Sequence, residues 1–130
     1  MKANIILVDD HAAFRRSLRD FLADYPRFEI IGEAANGNEL FGLPSLKKCD
    51  LILLDIAMPG MDGIEALRQL PRAFPEAKAV MVSGRSEAAY VDAARRYGAA
   101  GFIPKDEVFL HLIPGLTKVL AGESYFLDRA

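Results

Sequence analysis

The sequence predicts an α/β fold, a doubly wound parallel sheet with helices on both faces, formed as one domain. Three observations predict it. Short apolar runs recur five times along the 130 residues, and Ile5-Ile6-Leu7-Val8 and Leu51-Ile52-Leu53-Leu54 are continuous rather than alternating. Strands covered on both faces read this way. Segments with apolar residues at helical spacing separate the runs. The resulting strand–helix alternation, with no linker or internal repeat, is the order that right-handed crossovers in a parallel sheet require.

The first strand is Ala3 to Val8. The helix after it places Phe14, Leu18, Phe21, Leu22 and Tyr25 on one stripe, with Arg15, Arg16 and Arg19 facing away as a solvated basic face. The second strand is Phe28 to Ala34. The second helix falls within Asn36 to Lys48, where Gly42 and Pro44 predict a short or broken element. The third strand is Asp50 to Leu54; the third helix starts near Gly63, turns Ile64 and Leu67 inward and meets Pro71. Lys78 to Val82 is the fourth strand. Its helix begins after Ser86, an N-cap type, and ends at Gly98, the residue type favoured just past a helix. Gly101 to Ile103 is the fifth strand, followed by a helix over Glu107 to Ala121. Pro114-Gly115 predicts a kink or break in that helix near Ile113, with Leu116, Val119 and Leu120 holding its second part on the sheet.

Composition narrows the function classes. A length of 130 residues suits one domain, and 52% apolar against 26% charged residues excludes a disordered chain. No apolar run approaches the roughly 18 residues of a membrane span, and the N-terminus lacks the apolar core of a signal peptide. Cys49 is the one cysteine, so there is neither an internal disulfide nor a zinc cluster, and a reducing cytoplasm is the expected location. A net charge of −2 argues against direct nucleic-acid binding by this chain.

In open parallel sheets, ligands bind beyond the carboxyl ends of the strands. The first strand ends there in Asp9-Asp10, the third in Asp55 and the fourth in Ser83, and Lys105 follows the fifth. An isolated Asp at a strand end is ordinarily a helix cap; the conjunction of these residues points to chemistry. Three clustered carboxylates repel unless a cation intervenes, and all-oxygen ligation suits Mg²⁺. A divalent ion, a lysine and a hydroxyl around one aspartate equip Asp55 to act as a nucleophile forming an aspartyl phosphate. His11 is expected at the exposed start of the first helix, His111 on a surface, and Cys49 as a small apolar residue beside the third strand.

The residues Asp9-Asp10, Asp55-Ile56-Ala57-Met58-Pro59-Gly60-Met61-Asp62-Gly63, Ser83 and Phe102-Ile103-Pro104-Lys105 resemble the receiver domain of bacterial two-component response regulators, over nearly the whole chain. The resemblance implies a flavodoxin-like fold of five strands in the order 2-1-3-4-5 and five helices. It implies a receiver over residues 1–122, with 123–130 as a tail or the start of a linker to an effector domain. It implies that Asp55 accepts a phosphoryl group from a histidine kinase or phosphotransfer protein. Asp10, Asp55 and the Ala57 main-chain carbonyl would hold Mg²⁺, with Asp9 assisting. Lys105 would pair with phosphoryl oxygens, and Ser83 and Phe102 would form a switch acting on the surface of the fourth helix, fifth strand and fifth helix. Ala57 and Arg85, each two residues beyond Asp55 and Ser83, would tune the phosphoryl lifetime. The Asp-Asp-His start and the ending Ala121-Gly122-Glu123-Ser124-Tyr125-Phe126 resemble receivers that precede helix-turn-helix output domains, which implies transcription regulation where an output domain follows; a homodimer is a further candidate partner. Enzymatic activity would be limited to the domain's own phosphorylation and dephosphorylation.

The sequence departs from the family pattern in three places, one of them the Pro114-Gly115 pair in the fifth helix. Asp106 follows Lys105 where the family often has proline, and Ser83 stands for the commoner threonine while keeping the hydroxyl. Two other functions compete. A phosphatase of the haloacid dehalogenase type also uses an aspartate and Mg²⁺, but it would place its nucleophile after the first strand with a second Asp two residues on. A degenerate receiver acting only as a binding module would lack some of the residues quoted above.

Overall fold

The continuous apolar runs become buried strands of one parallel sheet in a computed structural model, which describes residues 2–74 and 76–127. The elements are β1 (Ala3–Val8), α1 (Ala12–Leu22), β2 (Phe28–Ala34), α2 (Gly37–Gly42), a 3₁₀ turn (Pro44–Lys48), β3 (Leu51–Leu54), α3 (Gly63–Ala73), β4 (Lys78–Ser83), α4 (Ala88–Arg96), β5 (Gly101–Pro104), α5 (Val108–Leu120) and β6 (Tyr125–Phe126), with a 3₁₀ turn at Lys105–Glu107 before α5. Their spatial order is β2-β1-β3-β4-β5-β6.

The two faces of the sheet divide the core by strand parity, since successive side chains point to opposite sides. Ile6, Val8, Ile52, Leu54, Met81 and Phe102 pack with Leu40, Leu67, Leu70, Val91 and Ala94, which puts α2, α3 and α4 on one face. Ile5, Leu7, Leu51, Leu53, Val80 and Ile103 pack with Leu18, Leu22, Leu112, Leu116 and Val119, which puts α1 and α5 on the other. Burying each such side chain contributes roughly 1.5–3 kcal/mol relative to exposure, and this two-sided burial fixes the register of the strands. The broken second helix is observed as expected, α2 ending before the Pro44 turn.

Four expectations need correction. The expected tail supplies a sixth strand: Tyr125–Phe126 pairs parallel with β5, so the sheet has six strands rather than five. The rest of that tail, 128–130, lies outside the described residues. A two-residue strand has too little sequence for any period to reveal it. Secondly, α5 runs unbroken through Pro114. Proline removes the hydrogen bond to the carbonyl four residues back, that of Leu110, but Leu110 is 76% exposed, and buried Leu112, Gly115, Leu116 and Val119 tie both halves to the sheet. Leu120, expected to pack, is instead 43% exposed. Thirdly, Glu87 rather than Ser86 is the N-cap of α4, without a side-chain capping bond; Gly98 does end that helix, at φ +89°. Finally, the arginines of α1 are not all free: Arg15 Nε donates to Glu33 Oε1 at 3.0 Å, and Arg19 pairs with the same carboxylate.

Candidate functional site

Loops after β1, β3, β4 and β5 at the carboxyl edge assemble the site, and local chemistry fixes the first two. After β1, the Asp9 N–H extends the ladder to Ala34 O at 3.0 Å, and Asp9 Oδ1 accepts the His11 N–H at 2.8 Å, forming an Asx-type turn into α1. Arg15, one turn into α1, donates to the Asp9 carbonyl. After β3, the Asp55 N–H donates to Val8 O at 2.9 Å. The loop from Asp55 closes on α3 because residue 63 is glycine. A Cβ there would stand 1.9 Å from the Asp55 carbonyl oxygen, while the Gly63 N–H donates to Ile56 O at 2.9 Å. Asp62 caps α3 by accepting the Glu65 N–H at 2.9 Å.

Asp9, Asp55 and Ser83 are the buried polar residues among those described. Lys105 joins the two aspartates, its Nζ 2.8 Å from Asp9 Oδ2 and 3.3 Å from Asp55 Oδ2. Asp55 is further fixed by the Ile56 N–H, which donates to Oδ1 at 2.8 Å. Burial raises the Asp55 pKa, the Asp9 charge raises it further, and Lys105 and the Ile56 N–H pull it partly back. Burial pushes Lys105 down, but its hydrogen bond to Asp9 and the charges of Asp55 and Asp9 outweigh that and leave it raised.

Asp9, Asp10, His11 and Asp55 bring one ligand atom each within 4.8 Å of one another. These four residues fit a cation, since carboxylate oxygens dominate the set and hard ions favour them. His11 is exposed as expected, yet its Nδ1 lies 3.3 Å from both Asp9 Oδ1 and Asp10 Oδ1, so it belongs to the cluster. Beside the cluster opens a cleft of about 420 Å³, lined by Asp10, Ala57, Met58, Asp62, Arg85 and Tyr90 among others. Ala57 and Arg85 therefore face the same space despite lying in different loops. Ser83 is fully buried, and its Oγ accepts the Arg85 N–H at 3.0 Å. Phe102 is fully buried against the α3–α4 side of the core, so its ring already points inward in this structure.

Two further residues contribute to the site without belonging to any strand-end motif. The Phe14 ring, expected only as core, lies 4.7 Å from Lys105 Nζ, and Arg15, expected on a solvated face, holds the Asp9 backbone. Their positions four and five residues after Asp10, on the first turn of the helix that the acidic pair opens, were the available signal. His111, expected on the surface, is half-buried and bonded through Nδ1 to the Tyr125 hydroxyl at 2.7 Å.

Fold and cluster together define a doubly wound α/β domain with an acidic, lysine-bearing edge. The family model described as the response regulator receiver domain matches residues 5–113, and the chain belongs to that family. It is 32% identical over 124 residues to the transcriptional regulatory protein DegU of Brevibacillus brevis, covering 95% of this chain and 52% of the relative. It is also 32% identical over 121 residues to the response regulator GacA of Pseudomonas aeruginosa, covering 93% and 56%. The chain thus spans about half the length of the curated relatives it matches. Among solved structures, a LuxR-family two-component response regulator from an Aurantimonas species is similar with TM-score 0.89 and 28% identity, covering 96% of this chain and 89% of that one. The signal receiver domain of the NarL regulator from Mycobacterium tuberculosis gives 0.84 and 29%, covering 94% and 98%. Nothing in these likenesses favours the phosphatase alternative. Among the described residues, no helix is long and apolar enough to cross a membrane.

Proposed function

We propose that Asp55 accepts a phosphoryl group from the phosphohistidine of a kinase or phosphotransfer protein in the cytoplasm. The observation that carries this reading is the shared ammonium: one half-buried lysine, paired with two buried aspartates, stands where charge would accumulate on an incoming phosphoryl group. An Asp55 oxygen attacks phosphorus as the P–N bond breaks, and the leaving imidazole takes up a proton. Ile56 and Lys105 keep the Asp55 carboxylate oriented, and Lys105 follows the charge onto the phosphoryl oxygens. Asp10, Asp55 and the Ala57 main-chain carbonyl are the residues that would hold Mg²⁺, with Asp9 assisting. When bound, the ion would neutralise charge at the transferring group.

Ser83 and Phe102 form the switch in this reading. Turning the Ser83 hydroxyl toward a phosphoryl group gives up its bond with the Arg85 N–H and moves the β4–α4 loop, and the surface of α4, β5 and α5 answers. The chain's chemistry is confined to its own phosphorylation and dephosphorylation. DegU is named as a transcriptional regulatory protein; the same role for a protein containing this receiver, with an effector domain beyond it and a second copy as partner, belongs to the proposal. Incubation with acetyl phosphate and Mg²⁺ tests it: one phosphoryl mass should appear and map to Asp55, and Asp55→Asn should abolish it. Undiminished labelling of that variant overturns the assignment.

A further inference from the structure

The exit from α5 is seated in a site shaped for it. Gly122, at φ +89°, turns the chain after the helix, and residues 125–127 then lie along the outer edge of β5. The Tyr125 N–H donates to Ala100 O and the Leu127 N–H to Phe102 O, both at 2.9 Å. Two glycines make room. A Cβ on Gly101 would lie 2.6 Å from the Tyr125 carbonyl oxygen, and one on Gly115 would lie 2.9 Å from the Tyr125 ring. His111 of α5 holds the Tyr125 hydroxyl at 2.7 Å, and Arg95 of α4 lies 4.0 Å over the Phe126 ring. Phe126 itself packs against the core cluster that contains Phe102.

These contacts span α4, β5 and α5 at once, and one of them is a backbone bond to the switch residue Phe102. We propose that the β5 edge is a strand-docking site whose ligand is the chain's own extended aromatic segment, Tyr125-Phe126-Leu127. Phosphorylation of Asp55 releases that segment. The inference deepens the proposed function and rests on it. One route connects the sites: movement of the β4–α4 loop carries α4, and with it the Arg95 guanidinium that covers Phe126. A released segment frees an unpaired strand edge, the kind of surface that accepts an extended segment of a partner. Because coupling is reciprocal, loosening the segment must alter the equilibrium at Asp55 by the same factor.

Hydrogen exchange of the full chain tests this at the Tyr125 and Leu127 amides. With beryllofluoride and Mg²⁺ both should exchange at least about fivefold faster, a typical lower bound for allosteric coupling, while amides of β1 and β3 stay unchanged. Gly115→Ala adds a methyl against the Tyr125 ring and should accelerate the same two amides without beryllofluoride. Tyr125→Phe, which removes only the hydroxyl, should do so more weakly. Unchanged or slower exchange under beryllofluoride, in a sample whose Asp55 takes the acetyl phosphate mass, overturns the coupling. Absence of that mass overturns the function and the coupling together, and the docking site then stands or falls on Gly115→Ala alone.

Discussion

Lys105 is held more closely by Asp9 than by Asp55, at 2.8 Å against 3.3 Å. The other Asp9 oxygen is occupied by the His11 N–H, so Asp9 works as the anchor that stations the ammonium beside Asp55. Asp9, rather than the proposed phosphoacceptor Asp55, fixes the lysine. In the proposed phosphotransfer, Lys105 would follow charge as it moves off the Asp55 carboxylate without first breaking a tight pair there.

This geometry separates the roles of charge in metal binding. Asp10→Ala should weaken Mg²⁺ binding by about tenfold or more, which corresponds to roughly 1.4 kcal/mol for one lost carboxylate. Lys105→Met should leave affinity equal or higher, because it removes a repelling charge from Asp9 and Asp55. Titration of each variant without phosphodonor reads both effects, and equal affinity in Asp10→Ala and the parent would contradict the ligand set.

Ala57 and Arg85 border one cleft, where a water attacking the phosphoryl group would approach. Ala57 offers no side-chain group to orient it, and in the proposed function Arg85 would shield or pair with the phosphoryl oxygens. The double variant Ala57→Asn/Arg85→Glu should lose its phosphoryl group faster, by about tenfold if one water is newly oriented, a change of roughly 1.4 kcal/mol in barrier. Decay of the labelled protein followed by mass gives the rate, and slower decay in the variant would refute the idea.

Burial pushes the Cys49 thiol up from 9.0 to about 12, and its Sγ donates to Leu51 O at 2.9 Å. In the unfolded chain the thiol loses its proton near its ordinary value, so between about pH 9 and 12 the unfolded state binds fewer protons and stability falls as pH rises. The contribution is about 1.4 kcal/mol per pH unit within that window. Urea denaturation from pH 8 to 11 should therefore show a shallower loss for Cys49→Ala than for the parent, and parallel slopes would exclude the thiol as the cause.

Pro114 sits in an unbroken helix at the cost of one backbone bond. Pro114→Ala restores the donor toward the Leu110 carbonyl and should raise stability by roughly 1–3 kcal/mol, up to the full penalty of an interior proline. Acetyl phosphate labelling of Asp55 should be unaffected. A lower denaturation midpoint in this variant would mean that the ring, rather than the missing bond, dominates the packing there.

The sequence by itself determined the sheet, because Ile5 to Val8 and Leu51 to Leu54 are apolar on both faces and only a covered parallel strand buries both. It also marked Asp9, Asp55 and Lys105 as strand-end residues, which the strand order implied by the family resemblance brings together across about 100 residues of chain. Tertiary structure decided what local rules could not. Local propensity breaks a helix at Pro114, but packing of Leu112, Leu116 and Val119 on the sheet outweighs one lost hydrogen bond. A solvated basic face was the local reading of Arg15 until Glu33 and the Asp9 carbonyl came within reach from other elements. Tyr125–Phe126 has no period to read, and it becomes a strand only because β5 leaves an edge open and Gly101 and Gly115 leave room beside it. Strand period and strand ends are properties of neighbouring residues; pairing, burial and docking depend on atoms brought together from distant parts of the chain.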